Sequence, residues 1–146
     1  MQVATASAHP FPFAPGTLVK VRGSGLAASA LSYDSLPLPT ALGGTSLTAN
    51  GQAVGLVSVA PEAITFVMPF ATAGSGKIRL KATIAGVASN EITVRAAPAS
   101  LGFFSTTGDG VGDIVAAHAD GSPITASSPA AANESIVLYA SGLGPR

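Results

Sequence analysis

The stretch Pro15-Gly16-Thr17-Leu18-Val19-Lys20-Val21-Arg22-Gly23-Ser24-Gly25-Leu26 decides how this chain folds, because a degenerate copy of it closes the sequence as Asn133 to Leu143. Aligned without gaps, Val19 falls on Ile136, Val21 on Leu138, and Ser24-Gly25-Leu26 on Ser141-Gly142-Leu143. Both copies alternate apolar and variable positions and then break into small residues, the pattern of a half-buried strand entered and left through turns. The repeat predicts one sandwich-like unit ending near residue 97 and a second unit beginning around residue 133, of which the sequence contains only the first strand.

Working outward, Pro10, Pro12 and Pro15 deny residues 1–14 the amide donors of a central strand, so this segment is expected as an extended lead-in or edge. From Ala27 to Thr40 small residues mix with Pro37 and Pro39, which predicts a crossover packing Leu31, Tyr33, Leu36 and Leu38 onto the sandwich. Thr45 to Ala49 and Gln52 to Val59 flank Asn50-Gly51, a dipeptide that accepts the positive φ angles of a type I′ turn, and predict a hairpin. Ala63 to Met68 reads as a strand stopped by Pro69. Lys77 to Ile84 is the most regular run, with Ile78, Leu80, Ala82 and Ile84 on one face and Lys77, Arg79, Lys81 and Thr83 on the other. A turn near Gly86 returns the chain through Ser89 to Arg95. Val19, Val21, Ile64, Phe66, Ile78, Leu80, Ile84, Ile92 and Val94 are therefore expected to form one core.

About seven strands in under a hundred residues is the spacing of an immunoglobulin-like sandwich. The order Pro15-Gly16-Thr17, Gly23-Ser24-Gly25-Leu26, Asn50-Gly51, Ile64 to Pro69, Gly76 before an alternating strand, and Gly86 with Ser89-Asn90 before the last resembles an IPT/TIG immunoglobulin-like domain. More narrowly, the chain is similar to a family of C-terminal domains of large secreted proteins from soil bacteria of acidobacterial type. Ser100 to Phe104, Ala119 to Ser122, Pro129 to Ala131, Leu138-Tyr139 and Gly142 to Pro145 look like that family's linking segment and second repeat. Arg22 departs from the pattern, standing where such domains carry an apolar residue. The resemblance implies an all-β, IPT/TIG-like sandwich over residues 1–97, with a C-terminal β-extension over 98–146. In that extension a looser hairpin joins 101–106 to 113–119, Asp120-Gly121 turns tightly, and Pro123 to Asn133 is a small-residue linker.

At 146 residues the chain is long enough to bury a core without staples, and it contains no cysteine. Charged residues make up 10% and the net charge is zero, which argues against an electrostatically driven nucleic-acid or membrane partner. No apolar run reaches the ~20 residues of a spanning helix, and residues 1–14 lack a basic start and an apolar signal core. Any targeting segment is expected outside this sequence.

The search for chemistry yields little. Gly74-Ser75-Gly76-Lys77 misses both the leading glycine and the magnesium-binding hydroxyl of a phosphate loop, and reads as a turn. His9 and His118 are the only candidate bases, no Gly-x-Ser-x-Gly elbow occurs, and both read as ordinary side chains, so no catalytic residue, cofactor or metal site is assigned. Asp109, Asp113 and Asp120 could offer oxygens to weakly bound calcium, but Asp109-Gly110 and Asp120-Gly121 read first as turns. Lys77, Arg79 and Lys81, joined by Lys20 and Arg22, could form a basic stripe, read here as a solvated face. A lysine–asparagine crosslink would need Lys20, Lys77 or Lys81 beside Asn50, Asn90 or Asn133.

The function expected is that of a non-catalytic structural, adhesion or assembly module of a secreted or surface protein. The alternatives are an accessory carbohydrate-binding module, with a glycan partner, and a self-assembling subunit. The partner surface expected is the C-terminal strand Ser135, Ile136, Val137, Leu138 and Tyr139, which would pair first with the hairpin of its own chain and otherwise with a neighbouring domain or a second copy.

Overall fold

In the computed structural model, residues 2–5, 12–72, 74, 76–107 and 112–144 are described. His9, Pro10, Phe11, Ser75, Asp109 and Gly110, each named above, lie outside that set. Among the described residues fifteen short strands alternate with turns, and the helical content is one 3-10 turn, Phe70–Thr72. The first eight strands are β1 (Gln2–Thr5), β2 (Leu18–Arg22), β3 (Leu31–Ser32), β4 (Ala41–Leu42), β5 (Thr45–Ala49), β6 (Gln52–Ala53), β7 (Gly55–Ala60) and β8 (Ala63–Val67). They are followed by β9 (Lys77–Ile84), β10 (Val87–Ala88), β11 (Ile92–Arg95), β12 (Gly102–Phe103), β13 (Ala116–His118), β14 (Ile136–Leu138) and β15 (Ala140–Ser141).

The protein is all-β, built of antiparallel sheets. One sheet runs β1-β2-β8-β7-β3. The other runs β10-β9-β5-β4, with β11 also on β9 and β6 also on β5. Alternation along each strand decides which side chains meet between them. In β2 and β8, Val19 faces Phe66 and Val21 faces Ile64 in register, and all four are fully buried. In β9, Ile78, Leu80 and Ala82 are buried while Lys77, Arg79 and Lys81 are exposed, as the two-residue period requires. Residues of both sheets join one apolar cluster. Seven of the nine expected core residues lie in it, and Ile84 and Ile92 pack partly buried against its edge. Each fully buried branched side chain there contributes about 1.5–3 kcal/mol relative to exposure.

Phe13 belongs to the same cluster, which the proline-rich lead-in had concealed. Its N–H donates to Arg95 O at 2.9 Å and its carbonyl accepts from Ala97 N–H at 2.8 Å, giving a parallel bridge to Ala96 beside β11. The lead-in thus serves both sheets, with β1 on the edge of the first and Phe13 on the edge of the second.

Two expectations are corrected. Gln52 to Val59 is not one strand: β6 stays beside β5, and after the buried corner residue Val54 the chain crosses to the other sheet as β7. The crossing brings Gly55 so close to Leu38 that an added Cβ would lie 2.8 Å from the Leu38 Cβ. The second correction concerns residues 27–40. Leu31 and Tyr33 are exposed, Leu36 is 85% exposed, and only Leu38 is partly buried. Instead of covering the core, Leu31–Ser32 extends the first sheet by pairing with β7, and Tyr33 N–H continues the ladder to Val57 O at 2.8 Å.

The Asn50-Gly51 turn is present, with φ of 51° and 83°. Asn50 also reaches across to β9: its N–H donates to Arg79 O at 2.8 Å and its Oδ1 accepts from Arg79 N–H at 2.9 Å. Asn50→Ala removes that acceptor and places alanine in the left-handed region, so a loss of about 1–2 kcal/mol is expected in chemical denaturation. An unchanged midpoint would show that the turn contributes nothing to stability.

The C-terminal part forms two ribbons, β12 with β15 and β13 with β14. The expected hairpin survives only near its tip, where Ser105 bridges Ile114 and Val115 N–H donates to Phe104 O at 2.7 Å. Beyond this the arms part and the terminal segment enters between them, with Tyr139 bonded to both Val115 and Phe104. The terminal strand therefore finds a partner within its own chain. Residues 123–133 are more ordered than a plain linker, with bridges from Pro123 to Ala117 and from Thr125 to Ser128. The end of the chain also meets the sandwich: Ser100 N–H donates to Gly142 O at 2.8 Å, and Gly142 packs against Thr17.

Candidate functional site

A cluster of hydrogen-bonded polar side chains lies on β13 and the loop that follows it. After His118 the chain turns at Asp120-Gly121, where Gly121 has φ of 88°. Asp120 Oδ1 accepts the Ser122 N–H at 2.9 Å and the Ser122 hydroxyl at 2.6 Å. The turn closes through Gly121 N–H to His118 O at 3.0 Å and His118 N–H to Ser122 O at 2.8 Å. This folds Ile124 back onto β13, its N–H donating to Ala116 O at 3.0 Å. A second turn, with Ser128 N–H on both the carbonyl and the hydroxyl of Thr125 at 3.1 Å, carries Ser128 over the imidazole.

His118 is engaged at both ring nitrogens. Nδ1 meets Glu134 Oε1 in a short hydrogen bond, while Nε2 lies 3.2 Å from Ser128 Oγ and 3.3 Å from Ser128 O. The other Glu134 oxygen accepts the Ala131 N–H at 2.8 Å. The two side chains are 16% and 24% exposed. The Glu134 hydrogen bond raises the His118 pKa above its ordinary 6.5, against a smaller opposing effect of desolvation. Glu134 is held below 4.5, first by the Ala131 amide and then by His118, and Asp120 is held below 3.8 by Ser122.

His118 stands opposite Ile136 in the ribbon and Ala116 opposite Leu138, so all four share one face. Beside them runs an apolar groove of about 370 Å³ whose walls include Ile114, Ile124, Ile136 and Leu138. The order Ser128, His118, Glu134 is that of nucleophile, base and acid. The Ser128 N–H is spent on Thr125 and Pro129 has none, so neither amide flanking the hydroxyl is aimed at an oxyanion. The arrangement ties β13, the 122–131 loop and the approach to β14 together.

The sequence presents His118 as an ordinary side chain and links neither Glu134 nor Ser128 to it. Sixteen and ten residues separate them from His118, and no local period links positions that meet only through two successive turns. Among the described residues no group of three or more His, Cys, Asp or Glu is placed to hold a metal ion. The basic stripe is not continuous: Lys20 and Arg22 lie on β2 in one sheet, and Lys77, Arg79 and Lys81 on β9 in the other. Arg79 forms a loose, exposed pair with Glu91 at 4.0 Å. Asn50 bonds to the Arg79 backbone and not to a lysine.

The partner strand expected from sequence is only half covered. Ile136, Val137, Leu138 and Tyr139 are 42–49% exposed, so Ile136 and Leu138 do not form the buried face that the half-buried pattern of this copy predicts. In the ribbon Leu138 and Val137 stand opposite only the small side chains of Ala116 and Ala117, and Ile136 opposite His118. Among the described residues the outer edge of β14 pairs with no further strand. No family model matches the chain, and no curated protein or solved structure matches it.

Proposed function

We propose that this chain is an immunoglobulin-like sandwich of the IPT/TIG kind and acts as a non-catalytic assembly module of a larger secreted or surface protein, through its C-terminal strand. The strand orders β1-β2-β8-β7 and β5-β9-β11 support the fold assignment, because they correspond to strands A-B-E-D and C-F-G of a seven-stranded immunoglobulin sandwich.

The observation that carries the assembly reading is the contrast between the two copies of the repeat. In β2 both edges are paired, with β1 and β8, and Val19 and Val21 are fully buried. In β14 one edge has no partner strand among the described residues, and Ile136 and Leu138, the counterparts of those valines, are more than 40% exposed. From Ser135 to Leu143 there is no charge and no proline to blunt that edge. An incoming extended strand would pair with the open edge and bring its own side chains beside Ile136 and Leu138.

Light scattering across a concentration series tests this. The full chain is expected to associate, while Val137→Lys, which sets a charge on the open strand, and deletion of residues 134–146 should each return it to monomer. A chain monomeric at every concentration, and equally so in the Val137→Lys variant, would overturn the reading.

A further inference from the structure

We propose that the contact of His118 with Glu134 and Ser128 is a proton-set latch that holds β14 against β13 while the imidazole is charged and loosens it when the proton leaves. The inference deepens the assembly reading and rests on it in one respect, that the strand being held is the one assigned to pairing.

The geometry suits a cationic ring. Both nitrogens face acceptors, Glu134 Oε1 at Nδ1 and the Ser128 carbonyl and hydroxyl at Nε2, and only the protonated ring donates from both at once. The neutral ring must give up either the carboxylate bond or the bond to the Ser128 carbonyl. Glu134 lies two residues before Ile136, and Ile136 is the register partner of His118, so the latch pins the point where β14 begins. Its second oxygen grips Ala131 N–H, which draws the preceding turn into the same assembly.

The charged groups around the ring are few. Glu134 approaches from the segment before β14 and Asp120 from the turn after β13, and both favour the cation. The loop from 123 to 131 and β14 itself contain no charged residue. The direction of the pH response follows from the two shifts. His118 has a raised folded pKa, so its contribution is complete below 6.5 and is lost as pH rises through the folded value. Glu134 has a lowered folded pKa, so its contribution is complete above 4.5 and is lost as pH falls through the folded value. The latch is fully closed between 4.5 and 6.5 and opens on the alkaline side of His118.

Hydrogen-exchange protection of residues 116–118 and 136–138 in the full chain, corrected for intrinsic base catalysis, is expected to fall about tenfold between about pH 5.5 and pH 8.5. Amides of β8 and β9 should keep their protection and so report that the sandwich is intact. His118→Asn and Glu134→Gln retain polar groups without the charge pair, and each should flatten the response of β13 and β14. Wild-type protection that is constant with pH, or a response that persists in both variants, overturns the latch. Light scattering on the same samples separates the two ideas. A strand that loosens while the chain remains monomeric supports the latch and overturns assembly through β14.

Discussion

Replacing Leu80 by alanine is expected to destabilise the protein by about 2–5 kcal/mol, because the side chain is fully buried and its surroundings are fixed on three sides. Leu80 lies in the central strand of its sheet, opposite Ile92 of β11 and opposite Ala49 of β5. It points into the cluster that contains Val19, Val21, Ile64 and Phe66 from the facing sheet. Neither neighbouring strand can move inward to fill the space without breaking its register with β9, so the cavity would persist. Thermal or urea unfolding of Leu80→Ala beside wild type checks this. A midpoint within error of wild type would remove β9 from the core.

The second large effect is expected at Gly142. Its φ is 81°, a region that side chains with a Cβ rarely occupy, and an added Cβ would run into the Ser100 carbonyl oxygen and lie 2.9 Å from the buried Thr17 hydroxyl. Gly142→Ala therefore cannot keep the Ser100 N–H to Gly142 O bond in place, and the terminal turn should leave the sandwich. The expected signature is local: about 2–4 kcal/mol lost from the opening of residues 136–143, read by hydrogen exchange, with the amides of β8 and β9 little changed. Gly25, the counterpart in the first copy, has φ of 65° but no atom within 4 Å of an added Cβ. Gly25→Ala should thus show only the backbone strain, about 1 kcal/mol, and is the control for the steric part. Equal losses in the two variants would show that the contact with Thr17 and Ser100 does not hold the terminus.

Where the fold was legible in sequence, one physical signal dominated. Lys77 to Ile84 was readable because one face of β9 is core and the other water, so charge and hydrocarbon alternate without exception until Thr83. Asn50-Gly51 was readable because positive φ at two successive residues has few chemical solutions. The crossing at Val54 was not, since a strand that changes sheets stays apolar and extended on both sides of the change. Leu31, Tyr33 and Leu36 misled for the opposite reason: apolar composition does not say whether a layer exists to receive a side chain, and here β3 is the end strand of its sheet, with Leu31 43% and Tyr33 40% exposed. The His118 cluster was invisible because its members are brought together by two turns, of which only Asp120-Gly121 was readable, and no spacing encodes their combined direction.

The bridge between Phe13 and Ala96 bears on how the sandwich would carry mechanical tension. A pull entering at Pro12 and leaving at Ala97 runs along two parallel segments in opposite senses, so it meets the Phe13 N–H to Arg95 O and Ala97 N–H to Phe13 O bonds side by side. Loaded in shear, such bonds must yield together, whereas a hairpin pulled from its open end yields one bond at a time. Phe13 is fully buried beneath them, so their rupture also requires drawing an aromatic ring out of the core. Resistance of this kind is set by the rate of unfolding and not by equilibrium stability, and it resides where Phe13 of the lead-in meets the last strand of the sandwich.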